Sequence, residues 1–299
     1  MPLRITQNSM NRTQLAGLNG SLSRLQQTQE QLTSGKKLNR PSDNPVDTVS
    51  AMRLRGEQRQ LEQFGVSITD GLSRLRSADD ALSSASKMLQ RLRQITVAGA
   101  SDTHGPAERD AFAKEARQLR DGLVQLGNTQ YAGRPIFAGT ANVTNAFDPV
   151  TGAYQGNTAP VLRAVSDAPG AAGQLNVAIP GSEAFAGLFG TGGAIDAVIN
   201  GLTGPNPSTD LAAAMGTLDT AMSGLTAAAS TIGARTNRLE SLQELNGRQD
   251  DSSKVALSKV EDVDFIKAAM DLNIQSNAYN AALQASAKII QPSLMDFLR

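Results

Sequence analysis

The chain has 299 residues, with 28 basic and 28 acidic side chains, one His, no Cys, no Trp and 4% aromatic residues. Balanced charge leaves no global field toward nucleic acid or an anionic membrane, and the lack of Cys excludes disulfides and thiolate metal sites. So few aromatic residues suit helices joined through narrow apolar seams, and the length allows two or so domains.

The N-terminal MPLRITQNSMNRTQ contains no apolar h-region, so export, where it occurs, is expected without a cleavable signal peptide. No apolar run approaches the roughly 18 residues of a membrane span, and no membrane insertion is expected. Residues 1–60 carry nine basic and four acidic side chains, against eight and nine in residues 235–299, which makes the two ends mildly complementary. A first apolar seam runs through Leu15, Leu18, Leu22, Leu25 and Leu32.

Next comes TSGKKLNRPSDNP, residues 33–45. Its Gly-Lys-Lys lacks the requirements of a phosphate-binding loop, since the place of the leading glycine is held by Glu30 and that of the Ser/Thr by Lys37. Two prolines exclude a helix interior. The stretch reads as a geometric connection, with Gly35, Lys36, Asn39, Arg40, Pro41 and Asp43 as the candidate hinge. Lys36, Lys37 and Arg40 form a small basic knot with no interleaved aromatic residues, so hinge contacts outweigh nucleic-acid binding.

The strongest signal is a seven-residue repeat. Leu54, Leu61, Ile68, Leu75, Leu82 and Leu89 form one line of it, Phe64, Ala78, Ala85 and Leu92 fill partner positions, and Gly71 alone interrupts it. Asn44 before Pro45 predicts a capped start and Ala98-Gly99 a stop, which makes a helix of about 50 residues, on the order of 75 Å. Phe112, Ala116, Leu119, Leu123 and Leu126 form a third seam. Residues 135–207 change character, holding seven of the twelve prolines and short apolar runs such as PVLRAV and GQLNVAIP. They read as a self-contained β-rich insertion. Heptads then resume through Leu211, Met215, Leu218, Met222, Leu225, Ala229, Ile232 and Leu239. A last helix shows Phe265, Leu272, Tyr279, Leu283 and Ile290 on one seam, with Ile289, Leu294, Phe297 and Leu298 on other faces.

The expected fold is therefore mainly α, a long antiparallel coiled-coil rod with paired terminal helices and a small β lobe in mid-chain. The expected division is a terminal coiled-coil core over 1–40 with 260–299, a helical bundle rod over 41–134 with 205–259, and a β-rich lobe over 135–204. The terminal helices are rich in Asn, Gln and Ser with thin seams, which predicts a pair that stays largely unfolded until partner molecules bury its other faces, and so orders on assembly.

A search for chemistry finds little. His104 lies in a Thr-His-Gly-Pro turn with no nucleophile or orienting acid beside it in sequence, so an exposed loop histidine is expected and no enzyme activity. One His and no Cys make a transition-metal site improbable, and no cofactor is expected. The acidic pairs Asp79-Asp80, Asp250-Asp251 and Glu261-Asp262 read as solvated surface. GLFGTGGA lacks dinucleotide-loop spacing and reads as a loop.

QLTSGKKLNRPSDNP, LQRLRQITVAGAS, SKVEDVDF and the final SLMDFLR resemble the ends shared by bacterial flagellins and the hook-associated proteins of the flagellum. YAGRPIFAGT and VAIPGSEAF resemble the junction branch of that family. The resemblance implies a structural subunit secreted to the flagellum by its type III pathway, with an export chaperone at the C-terminal region. It also implies a homo-oligomeric ring with hook-associated protein 1 and flagellin as neighbours. The terminal helices would then form an inner layer, the rod an outer tube, and residues 33–45 the link between layers. A filament subunit is the alternative within the family. An adaptor coiled coil would need a docking domain and a secreted enzyme a catalytic cluster, and neither is visible.

Overall fold

Asn44 opens the first of two very long helices. Its Oδ1 accepts from the Val46 N–H at 3.1 Å and the Asp47 N–H at 3.2 Å, taking up two donors that have no partner within the helix. The computed structural model describes residues 7–101, 104–190 and 192–290. Helix α1 (Gln7–Ser34) is followed by α2 (Pro45–Gly99) and α3 (Pro106–Gly127). Two short strands, β1 (Gln130–Tyr131) and β2 (Arg134–Pro135), come next, then β3 (Leu162–Ala164) and β4 (Gln174–Asn176). The chain continues through α4 (Gly181–Ala184), α5 (Ala194–Thr203), α6 (Pro207–Glu261) and α7 (Phe265–Ile290). It is mainly helical with a small β region in mid-chain. None of its described helices is long and apolar enough to cross a membrane.

Contacts divide the chain into two compact units, Met1–Arg59 with Asp250–Arg299, and Gln60–Gln249. In the second unit, Ile68, Leu75, Leu82, Leu89 and Leu92 of α2 are all buried, as is Leu61. Leu54, which falls in the first unit, is half-buried. From α6 come Leu211, Leu218, Leu225, Ile232 and Leu239 at spacing seven, with Ala214, Ala221 and Ala228 buried three residues after the first three of them. Met215, Met222 and Ala229 flank this seam half-buried, because alanine methyls let neighbouring elements approach closely and push the bulkier methionines to the edge. The two helices run antiparallel here. Arg76 reaches Glu240 at 3.2 Å, while Arg93, further along α2, reaches Asp219, earlier in α6, at 3.0 Å. Helix α3 also runs antiparallel to α2, with Arg91 against Glu115 at 2.7 Å and Gly122 against Met88.

The small β region expected in mid-chain is present. The strands β1 and β2 at its start form one antiparallel two-stranded sheet, with Tyr131 opposite Arg134, and β3 and β4 form another, with Arg163 opposite Leu175. The rest of residues 135–204 is irregular chain, single turns and α5. Phe137, Ile179, Phe185, Leu188, Ile195 and Val198 of this segment are buried in one continuous cluster with the helical seams. Phe185 meets Phe137 edge-on at 5.2 Å between centroids, and Phe147 meets Phe189 at 5.1 Å. Aromatic rings carry the largest apolar area per residue, so burying them against helices ties the segment to the helical core.

Gly71 shows what that packing demands of α2. A Cβ there would lie 2.9 Å from Val177 Cγ1 and 3.1 Å from Leu239 Cδ1. The break in the heptad is the slot that admits Val177. Sequence logic alone expects Gly71→Leu to complete the repeat and stabilise the chain. The structure leads to the opposite expectation, a loss of about 1–3 kcal/mol by overpacking, seen as a lower midpoint in a denaturant melt; an unchanged or raised midpoint contradicts the packing described.

Candidate assembly interface and inter-helix joint

The first unit is held very differently from the second. Among its described residues only Ala51 and Ala268 are buried apolar side chains. Helix α1 pairs with α7, yet the seam is thin. Leu18, Leu22, Leu25 and Leu32 are half-buried, as are Leu272 and Tyr279, while Leu15 is 60% exposed, Phe265 58% and Leu283 42%. At its centre is a polar contact. Thr28 is buried, and its hydroxyl donates to Gln275 Oε1 at 3.0 Å. Ile290 closes α7 with only its backbone described, and Leu294, Phe297 and Leu298 lie outside the described residues.

Among the described residues of this unit, apolar side chains absent from the expected seam are the most exposed. Ile266 is 77% exposed, Ile274 63% and Met270 61% on α7, and Val46, Val49 and Met52 are equally open on the first turns of α2. The unit therefore presents apolar residues around α7 on more sides than α1 covers. Sequence periodicity points to one seam and is silent on these residues, because they belong to faces that no described residue covers.

Residues 33–45 form a locked joint. Gly35 takes φ +73° at the end of α1, and its N–H bonds back to the Gln31 carbonyl at 2.9 Å. A left-handed residue is the common way to end a helix, and glycine adopts it without a Cβ penalty. The chain then pairs with the segment between α6 and α7. The Lys37 N–H donates to the Glu261 carbonyl at 2.8 Å, and the Val263 N–H to the Gly35 carbonyl at 3.0 Å. Asp43 Oδ2 accepts from the N–H groups of Asn39 at 3.1 Å and Arg40 at 2.9 Å, fixing the turn before Pro45, while Pro41 is exposed.

The basic knot of the joint is matched by carboxylates. Lys36 Nζ lies 3.2 Å from Glu261, Lys37 Nζ 3.2 Å from Asp47, and Arg40 3.1 Å from Glu30. Arg55 makes the second bond to Glu261. The pair Glu261-Asp262, which the sequence suggests is solvated surface, splits. Glu261 is only 4% exposed and holds two cations, whereas Asp262 is exposed and accepts from the Ser258 hydroxyl at 2.6 Å. A buried carboxylate persists when it is paired and hydrogen-bonded. The one available clue was position, an acid at the last turn of a helix facing a Lys-Lys turn across the chain. His104, also singled out by sequence, is half-exposed, 3.4 Å from Glu108 and edge-on to Phe112.

Two family models match the chain. The bacterial flagellin N-terminal helical region matches residues 5–142 and the C-terminal helical region residues 215–298. Over 306 aligned residues the chain is 26% identical to flagellar hook-associated protein 3 of Salmonella typhimurium, covering 96% of this chain and 95% of that protein. It is 28% identical to the flagellin of Bacillus subtilis, covering 99% and 100%. The fold is similar to that of the flagellar junction protein from Legionella pneumophila, with TM-score 0.58 and 16% identity over 71% of this chain and 99% of that one. With both helical regions present and near-complete alignment to flagellar relatives, the chain belongs to the bacterial flagellin family of flagellar structural proteins.

Proposed function

We propose that this chain joins hook-associated protein 1 to the flagellin filament, as a ring of copies whose α1 and α7 helices supply the contacts between subunits. The observation that carries this reading is the apolar surface of the first unit, where Phe265, Ile266, Met270 and Ile274 are all more than half exposed. Burial stabilises by roughly 25 cal/mol per Å² of apolar area, so surface of this kind calls for a partner, and copies of one chain in cyclic symmetry provide one repeatedly. Near-complete alignment with a hook-associated protein 3 supports the junction role. A terminal pair with so few buried apolar groups also suits export in an unfolded state with a chaperone at the C-terminal region, followed by ordering on assembly. Residues 35–43 serve as the joint that sets how α1 and α7 meet the start of α2. A filament subunit remains the second reading, favoured by the full-length likeness to a flagellin.

Three measurements test this. Glu261→Ala removes the carboxylate shared by Lys36 and Arg55, and about 2 kcal/mol of local stability should go with these charged hydrogen bonds. Faster amide exchange at Lys37 and Val263 is the expected sign, and unchanged exchange would show that the joint does not depend on Glu261. Ile266→Glu and Ile274→Glu alter exposed positions, so the isolated chain should keep its unfolding free energy within about 0.5 kcal/mol yet fail to enter the flagellum; normal incorporation removes α7 from the interface. Deleting the gene should leave hooks without filaments and release flagellin into the medium. Persisting filaments rule out the junction role, and loss of the main flagellin itself would identify a filament subunit instead.

A further inference from the structure

A second group of charged side chains lies in the second unit, away from the joint. Arg74, on the buried side of α2, is only 6% exposed. One guanidinium nitrogen donates to the Ile136 carbonyl at 2.8 Å, and Nε, also buried, has no hydrogen-bond partner among the described residues. Arg74 lines a hollow of about 290 Å³ together with Arg134 and Arg163. Among the described residues the one carboxylate acting on it, Asp70, is occupied by Arg163 Nε at 2.8 Å and by the Tyr131 hydroxyl at 3.2 Å. Arg134 is exposed and makes no ion pair among the described residues. Three guanidinium groups thus share one acid.

Other polar groups in the wall are already satisfied. The Thr140 N–H donates to Asn157 Oδ1 at 3.0 Å and its hydroxyl exchanges contacts with the same amide, while Pro135, Val161 and Leu162 give apolar faces. Burial, and next the charge of Arg163, lower the affinity of Arg74 for its proton, the response of a cation kept out of water beside another cation. A buried cation with a free N–H is costly unless an anion completes it, and a guanidinium is shaped to bind carboxylate or phosphate oxygens through two parallel bonds. At about 30 Å³ per water, the hollow has room for a small oxyanion with several waters.

We propose that Arg74, Arg134 and Arg163 form a recessed receptor for a small oxyanion, either a free phosphate-type ion or a carboxylate carried on an acidic side chain of another copy. The site is independent of the assembly contacts of α1 and α7, and its failure leaves those untouched.

The test uses the full chain and follows the Nε–Hε resonance of Arg74 by NMR while sodium phosphate or sodium acetate is added, with ionic strength held by sodium chloride. A saturable shift with a millimolar midpoint is expected, weakened at least tenfold in Arg134→Gln, an exposed change that leaves the core intact. Saturation by phosphate assigns the site to a free ion, and saturation by acetate alone assigns it to a carboxylate side chain. No saturable shift with either anion, or an equal shift in Arg134→Gln, overturns the proposal. As a second readout, the saturating anion should raise the melting point above that in chloride for the unaltered chain but not for Arg74→Met; an equal rise in both overturns it too.

Discussion

A helix of 55 residues is not held straight in water by backbone propensity. It needs one face kept dry along its length, and in the second unit α2 and α6 do this for one another and for the elements laid on them. The seven-residue spacing of Ile68, Leu75, Leu82 and Leu89 faces an antiparallel partner whose leucines alternate with alanines. Small residues on one side leave width for a third layer. That layer is α3, α5 and the irregular chain of residues 135–204, whose phenylalanines enter the same dry volume. A repeat that could close a simple two-helix seam therefore supports a wider core, and Gly71 is the place where the repeat gives way to it.

The first unit obeys the same physics with the opposite result. With only Ala51 and Ala268 buried among its described apolar residues, little apolar free energy orders α1 against α7. Specificity comes from polar geometry instead: the Thr28 to Gln275 bond, the Gly35 turn and the backbone pairing of Lys37 with Glu261. Hydrogen bonds of this kind fix register but contribute modestly to net stability, since water offers the same bonds to an open chain. A pair built this way can be opened for passage and still re-form in one register.

Two buried charges show how differently the units treat ions. Glu261 is enclosed but answered by two cations whose heads remain partly in water, an arrangement that keeps the cost of desolvation on one side only. Arg74 is enclosed with a backbone carbonyl as its one direct partner among the described residues, and the neighbouring acid is bound elsewhere. The first is complete within the chain; the second leaves positive charge directed at a hollow.

Much of this was legible in the sequence because it is local. Period seven marks the buried faces of α2 and α6, Asn44-Pro45 marks a helix start, and Gly35 with two following prolines marks a break, each through the geometry of a few neighbouring residues. Residue types and spacing also carried the family likeness. What the tertiary structure alone decided are meetings between residues far apart in the chain. Arg55 and Glu261 are separated by 206 positions and Arg163 and Asp70 by 93, and no periodicity reports either. The same holds for the packing of 135–204, where prolines and glycines indicate turns but not the surface on which the turns settle. A linear pattern records which face of an element is apolar; which group covers that face, and which charge finds an opposite one, depends on how the whole chain closes in space.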